Sequence, residues 1–247
     1  MRKFRAEFHI HTVLSPCADV EMIPPLIVQE ALERGINLIA ITDHNASANV
    51  AAVQTAAAGT GLAVLPGMEL QTREEVHVLC LFDTLDQIFS WQQTVDARLP
   101  SLENQPEHFG EQFVVDETGD FIRHEPRLLL TSAIISLEEA FDGVSRLGGL
   151  CIPAHVDRRA NGLIANLGFI PTDIPFPAME ISRHLQSATA TQKFPQLRGY
   201  PLIQSGDVHR LSEFLGVNEL FIEEPCIEEI YLALANQKSR QFHLRTG

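Results

Sequence analysis

Nine residues of chemically useful type recur at one kind of place in this sequence. His9 and His11 stand at the end of the run FRAEFHI, Asp43 and His44 follow NLIAIT, and Glu69 ends LAVLPGMEL. His77 lies in VHVLCLF, His155 ends IPAH, and Asp207 and His209 close SGDVH. Neutral imidazoles and carboxylates are ligands for zinc, manganese or iron, and a carboxylate such as Glu69 can bridge two ions. Residues two apart on a strand share a face, so His9 and His11 can hold one ion together, as can Asp207 and His209, or two adjacent ions. A single His-x-His pair is a weak signal. Its recurrence with carboxylates at successive strand ends points to a multinuclear metal site.

Ligands this far apart in the chain meet only if the intervening elements bring the strands together. Short apolar runs alternate with helical patterns through FRAEFHI, PPLIVQEALERG, NLIAIT, the alanine-rich Ala46 to Ala58 and LAVLPGMEL, the βαβα rhythm of a parallel sheet covered by helices. Pro24 and Pro25 suit the start of the first helix and Gly35 its end. The pattern continues with VHVLCLF and a helix over about Leu85 to Leu99. A polar stretch, 100–127, follows, and its DETGD turn between FVV and FIR reads as a small hairpin or a lid-like insertion. A helix over about Ser136 to Leu147, the strand candidates GGLCIPAH, PAMEIS, PLIQSGDVH and ELFIEE, and a helix over Ile227 to Asn236 complete the chain. Seven or eight such strands predict one closed or nearly closed parallel barrel over residues 1–247. In such a barrel the strand C-terminal ends face the active site, so the candidate ligands converge on one mouth.

With 247 residues, 45% of them hydrophobic, the chain is long enough for one such barrel domain. No apolar run reaches about 18 residues and MRKFRAEFHIH lacks the apolar core of a signal peptide, so a cytoplasmic protein without membrane association is expected. Cys17, Cys80, Cys151 and Cys226 are scattered, and reduced thiols are expected rather than a disulfide framework. The formal charge of −14 argues against gripping long nucleic acid through a basic surface, while leaving room for an anionic substrate held by metal ions.

FHIHT, AITDHN, LPGMEL followed by VHVL, IPAH and SGDVH, in this order, resemble the PHP family (polymerase and histidinol phosphatase domain) over nearly the whole chain, most weakly over 100–127. The resemblance implies a distorted, TIM-like (β/α)7 barrel, two or three divalent ions (zinc, manganese or iron) at the C-terminal ends of the strands, and hydrolysis of phosphoesters. It places His9, His11, Glu69 and Asp207 on a first ion, Glu69, His77 and His155 on a second, and His44 and His209 on a third. Relatives often carry an acidic residue or a histidine just after the serine of the first loop, whereas this chain reads Ser15, Pro16, Cys17, Ala18, Asp19. Either Cys17 or Asp19 supplies the last ligand, with spacing slightly in favour of Asp19, and a thiolate there would bias the site towards zinc.

A hydroxide bridging two ions that share Glu69 is the expected nucleophile, with Glu69, Asp207 and His209 as catalytic groups and Asp43 orienting a ligand. Arg158, Arg159, Arg183 and Arg210, with His184, are candidate contacts for the phosphate, because guanidinium matches it bidentately. The loop RRANGLIANLGFIPTD is a candidate cover. The expected function is hydrolysis of a small phosphorylated metabolite or nucleotide. The alternatives are a PHP-type nuclease acting on nucleic acid ends and a non-catalytic interaction domain; few stacking aromatics, with one Trp and two Tyr, favour the first.

Overall fold

The computed structural model describes residues 1–245. In chain order its elements are β1 (Arg2–Ile10), α1 (Pro24–Glu33), β2 (Leu38–Ile41), α2 (Val50–Ala57), β3 (Ala63–Gln71), β4 (His77–Leu81), α3 (Leu85–Asp96) and α4 (Pro106–Phe109). There follow β5 (Phe113–Val115), β6 (Phe121–His124), α5 (Leu137–Arg146), β7 (Leu150–Pro153), α6 (Leu163–Leu167), β8 (Met179–Ile181) and α7 (Ser187–Lys193). The chain closes with β9 (Leu202–Gln204), β10 (Asn218–Ile222), α8 (Ile227–Leu234) and β11 (Gln241–Leu244).

Seven strands form one curled sheet in the order β11-β10-β1-β2-β3-β4-β7, and β8 and β9 form a separate parallel pair. Single contacts carry the curl onward. Val156 N donates to Glu180 O at 2.9 Å beyond the end of β7, and Val208, after β9, bridges Ile10 in parallel at the end of β1. The sheet is mixed, which corrects the expectation of uniformly parallel strands: among neighbours in the large sheet only the pairs β1–β2 and β2–β3 are parallel, while β4 is antiparallel to β3 and β7, and β10 is antiparallel to β1 and β11. The physical reason lies in the connection. Only five residues, 72–76, separate β3 from β4, enough for a hairpin but too few for a parallel crossover.

Side chains sort by alternation. Phe4, Ala6, Phe8, Leu38, Ala40, Leu65, Leu79, Leu81, Leu150 and Ile152 share one buried cluster with residues of α8. Their strand neighbours Ile39, Ile41, Val78, Cys80 and Cys151 instead pack into the two clusters against the remaining helices. β1 breaks the rule usefully: Phe8 lies in the first cluster, but Ile10 lies with the helices, and the pairing of β1 with β2 slips between Glu7 and Ile10. A bulge of this kind changes which face later residues present, so His9 follows Phe8 inward and His11 stays with it.

The segment 100–127 contains α4 and the β5–β6 hairpin, with Gly119 (φ 89°) in its turn. It packs against the loop after β1. Phe113 N donates to Val13 O at 2.9 Å, Asn49 bonds the backbone of both Phe113 and Val115, and a Cβ at Gly110 would lie 2.3 Å from Pro16 O.

On α5, Gly143 sits against the ring of Trp91, and a Cβ there would lie 2.5 Å from Cζ3. Alanine gains up to about 1 kcal/mol in helix propensity, but overpacking a filled core costs about 1–3 kcal/mol. Gly143→Ala is therefore expected to lower the midpoint of urea unfolding with the slope unchanged; a raised midpoint would contradict this packing.

Candidate metal centre

The cluster is built around one carboxylate. Glu69, on the inward face near the end of β3, is fully buried, and five imidazoles surround it. Its Oε1 lies 2.7 Å from His77 Nδ1, 3.1 Å from His155 Nε2 and 3.2 Å from His9 Nε2; its Oε2 lies 2.8 Å from His44 Nδ1 and 3.4 Å from His11 Nε2. Asp207 Oδ1 is 3.3 Å from His9 Nε2 and 3.4 Å from His11 Nε2. His77 opens its strand, and it reaches this mouth only because β4 runs antiparallel to β3. His155 (φ 28°) and Asp207 (φ 50°) both adopt left-handed backbone, a conformation that costs non-glycine residues about 1–3 kcal/mol and concentrates at functional sites.

Supporting bonds choose which ring nitrogen is free. His9 Nδ1 donates to Glu180 Oε2 at 2.9 Å, so Nε2 is the nitrogen turned toward Glu69 and Asp207. His11 Nδ1 donates to Ser15 Oγ at 3.0 Å, and that hydroxyl donates to Asp43 Oδ1 at 2.7 Å, so His11 Nε2 is turned toward them as well. Asp43 also accepts from Thr12 N and Oγ1, at 2.7 and 2.8 Å. It thus orients His11 through Ser15 and belongs to none of the ligand clusters. Asn161 Nδ2 donates to His77 Nε2 at 2.7 Å, and His209 Nδ1 donates to Asp207 O at 2.9 Å.

Ionisation follows from these neighbours. Burial pushes the Glu69 carboxyl up, but His77, His9 and His44 outweigh it and hold it well below the usual carboxylate range. Asp207 is held down in the same way against its burial by His9 and His11. Burial, with the positive fields of His209 and His44, holds His11 well below its ordinary value, and burial brings His77 down to about 4. His9 is raised despite burial, because Glu69, Glu180 and Asp207 surround it.

Donor atoms that fit cations are present in three groups among the described residues: His9, His11 and Glu69; His44, Glu69 and His77; and His11, His44 and His209. The nitrogens His9 Nε2, His11 Nε2 and His155 Nδ1, and the oxygen Glu69 Oε2, are buried without a hydrogen-bond partner. Such atoms are costly unless something satisfies them. Ligand atoms held about 2.1 Å from one ion at tetrahedral angles lie about 3.4 Å apart. The four contacts of His9 Nε2 and His11 Nε2 with Glu69 and Asp207 span 3.2–3.4 Å. The residues fit a divalent cation.

A cavity of about 410 Å³ opens over the cluster, lined by Cys17, His44, Glu69, Gln71, His77, Leu130, His155, Arg158, Asn161, Asp207 and His209. Of the expected phosphate contacts, only Arg158 lines it, where its guanidinium pairs with Asp207. Arg183 is committed to Gly206 O (3.1 Å) and Glu213 Oε1 (2.9 Å), and so braces the segment after β9. Arg159 and His184 are exposed and do not line the cavity. Arg210 is exposed and lies 3.8 Å from Asp19.

Neither Cys17 nor Asp19, between which the spacing slightly favours Asp19, belongs to the ligand clusters found among the described residues. The Asp19 carboxylate faces Arg210, whereas Cys17 lines the cavity. Partial desolvation pushes the Cys17 thiol up, and the neighbouring His209 and His44 outweigh this, bringing it down to about 6. The loop after Arg158 folds back through α6, and from it only Arg158 and Asn161 line the cavity.

Sequence reasoning missed Glu180, Asn161 and Gln71. Glu180 left a signal, a lone acid within the apolar run PAMEIS, and it is buried with Oε2 shared between His9 Nδ1 and His155 N (3.0 Å). Asn161 and Gln71 carry no pattern that separates them from other polar loop and strand-end residues.

Fold and site together define an α/β protein with a carboxylate-centred polyhistidine cluster fit for metal ions. The PHP domain model matches residues 7–162, and the chain belongs to the PHP family. No curated protein matches the sequence. Among solved structures, the lesion-specific endonuclease PfuEndoQ from Pyrococcus furiosus superposes with a TM-score of 0.73 at 17% identity over 98% of this chain. The chain spans 58% of that endonuclease's length. An amidohydrolase from Chromobacterium violaceum gives a TM-score of 0.58 at 19% identity, covering 94% of this chain and 96% of that one. An inferred metal-dependent phosphoesterase from Bifidobacterium adolescentis gives 0.52 at 16% identity, covering 83% and 87%. No described helix is long and apolar enough to cross a membrane.

Glu180→Gln removes the charge that fixes His9, and such partners typically account for about 10–100-fold in metal affinity. Chelator competition on the refolded or native variant is expected to show weakening of that order with unchanged circular dichroism; unaltered affinity would assign Glu180 to structure alone.

Proposed function

We propose that the chain is a metal-dependent hydrolase of phosphate esters, acting on a small phosphorylated metabolite or a nucleotide. The observation that carries this reading is the set His9, His11, Glu69 and Asp207, whose donor atoms stand at the separations a single cation requires. Glu69, His77 and His155 would hold a second cation, and His44 and His209 belong to a third position. Bound divalent ions would supply Lewis acidity, making water acidic enough to attack near neutral pH and offsetting charge on the phosphoryl oxygens.

The chain's own groups prepare the site for this. Glu69 and Asp207 are held ionised, and Glu180 and the Asp43–Ser15 pair keep the Nε2 atoms of His9 and His11 free. Arg158, poised over Asp207 at the cavity wall, is the group available to bind a phosphoryl oxygen bidentately. The cavity volume suits a compact substrate, and the formal charge of −14 argues against a grip on long nucleic acid. A second reading, a nuclease, is favoured by the extent of likeness to PfuEndoQ, which spans nearly all of this chain. A barrel of seven strands around the cluster and location in the cytoplasm belong to the same proposal.

Protein purified without chelator is expected to carry about two or three equivalents of divalent metal by elemental analysis. A chain that stays metal-free after incubation with zinc or manganese would sink the reading. Asp207→Asn is expected to reduce hydrolysis of an aryl phosphate to background with the fold intact. Arg158→Ala, by loss of a charge-assisted contact, is expected to lower kcat/KM by about 10–100-fold, mostly through KM. Steady-state assays across phosphomonoesters, nucleotides and short oligonucleotides decide between the two substrates; preference for oligonucleotides would establish the nuclease.

A further inference from the structure

We propose that Cys80 and Cys151 are a disulfide-forming pair, closing a cross-strand bridge between β4 and β7 when the chain meets a thiol oxidant. The inference is independent of the proposed activity. Cys80 on β4 lies directly opposite Cys151 on β7, as register partners of an antiparallel pair. Both side chains are buried in one cluster against the helices, whereas their strand neighbours Leu79, Leu81, Leu150 and Ile152 point into the cluster shared with α8. The two sulfurs therefore stand on one face and in register, as free thiols.

The hydrogen-bond ladder fixes how close the two backbones come. Opposed residues of an antiparallel pair alternate between a bonded kind, with Cα atoms about 5.5 Å apart, and a non-bonded kind, about 4.5 Å apart with the side chains closer. Ala154 N donates to His77 O at 2.9 Å, which makes His77 and Ala154 a bonded pair. Counting along the register, Val78 with Pro153 is non-bonded, Leu79 with Ile152 is bonded, and Cys80 with Cys151 is non-bonded. Pro153, which has no N–H, falls where none is needed. The other side of β4 agrees: Phe82 N donates to Pro66 O at 2.8 Å, so by the same alternation Cys80 directs its backbone bonds toward β3. A Cα separation of about 4.5 Å lies within the range of about 4.4–6.8 Å that disulfides span. Rotation of the two side chains closes the bridge with little movement of the backbone.

Closure removes one hydrogen from each thiol and two electrons in all. With a diazene oxidant such as diamide, one thiolate adds to the N=N bond and the second displaces nitrogen from the first sulfur, so both hydrogens end on the resulting hydrazine. A disulfide such as oxidised glutathione takes the same two electrons by exchange and leaves as two thiols. Burial pushes the Cys80 thiol up, which disfavours attack while the strands are closed. β7 is the last strand of the large sheet, so parting this one strand exposes the pair. Once one sulfur is activated, the other of the pair is the sulfur beside it, since Cys17 lies in the loop after β1 and Cys226 just before α8. β4 opens with His77 and the chain runs from β7 to His155, so the bridge ties together the carriers of two candidate ligands.

The test is a map of the bridge. Reduced protein is treated with diamide in the folded state and, separately, unfolded and refolded in a glutathione redox buffer; each sample is then denatured, alkylated and digested for mass spectrometry. A cross-linked pair of peptides containing Cys80 and Cys151 is expected in both samples, lighter by two hydrogens than the reduced peptides and abolished by dithiothreitol. The variant carrying both Cys17→Ser and Cys226→Ser is expected to yield the same pair. Alkylation of both Cys80 and Cys151 in the two samples, or a bridge from either of them to Cys17 or Cys226 instead, would overturn the proposal.

Discussion

A buried carboxylate among five imidazoles is the constraint on which this molecule is organised. Glu69 has no access to solvent, and an ionised carboxylate in that position is untenable without nearby positive charge or hydrogen-bond donors. His9, His11, His44, His77 and His155 supply them, from the ends of four strands, each within 3.4 Å. The reverse dependence holds as well. Several buried imidazole nitrogens face one another with no hydrogen-bond partner, and only anionic oxygens or cations make their proximity tolerable. The cluster is thus a place where folding has left polar atoms unsatisfied in favour of chemistry.

Around it, bonds to atoms that never reach the cavity set the aim of those that do. Glu180 fixes His9, Asp43 fixes His11 by way of Ser15, and Asn161 approaches His77 from the side opposite Glu69. Glu7, on β1 two residues before His9, accepts from the backbone N–H groups of Gly206, Leu215 and Gly216. Despite these three donors, burial raises its carboxyl to about 7. The first strand therefore holds both the first ligands and the segment bearing the last ones. This is the physical link between His9 and Asp207, whose side chains end 3.3 Å apart.

The likeness to an endonuclease, an amidohydrolase and an inferred phosphoesterase, all below 20% identity, shows one fold shared by several hydrolytic proteins. A shared fold hosts different functions, and loops rather than the scaffold set them apart. In this chain those loops contribute Cys17, Leu130, Arg158 and Asn161, and the hairpin of 100–127 braces the first of them. Differences between this protein and its relatives are to be sought there rather than in the histidines.

How much was legible in the sequence depended on whether the signal was local. The histidines and carboxylates of the candidate metal centre were visible because strand ends and period-two spacing are local patterns, and so was the helix over about Ser136 to Leu147 that α5 fills. The direction of β4 is written in the short connection 72–76 and not in the alternation, which is the same whichever way a strand pairs. The slip between Glu7 and Ile10 that turns His9 inward was not visible, because a bulge is a relation between two strands. Arg183 and Arg158 follow similar strand ends, yet Glu213 and Gly206 claim one while the cavity keeps the other. The sequence by itself determined which side chains were available as ligands and that strands would carry them. Only the tertiary structure decided which nitrogen of each ring is free, and whether Cys17 or Asp19 faces the site. Those choices are made by hydrogen bonds between residues up to 171 positions apart in the chain.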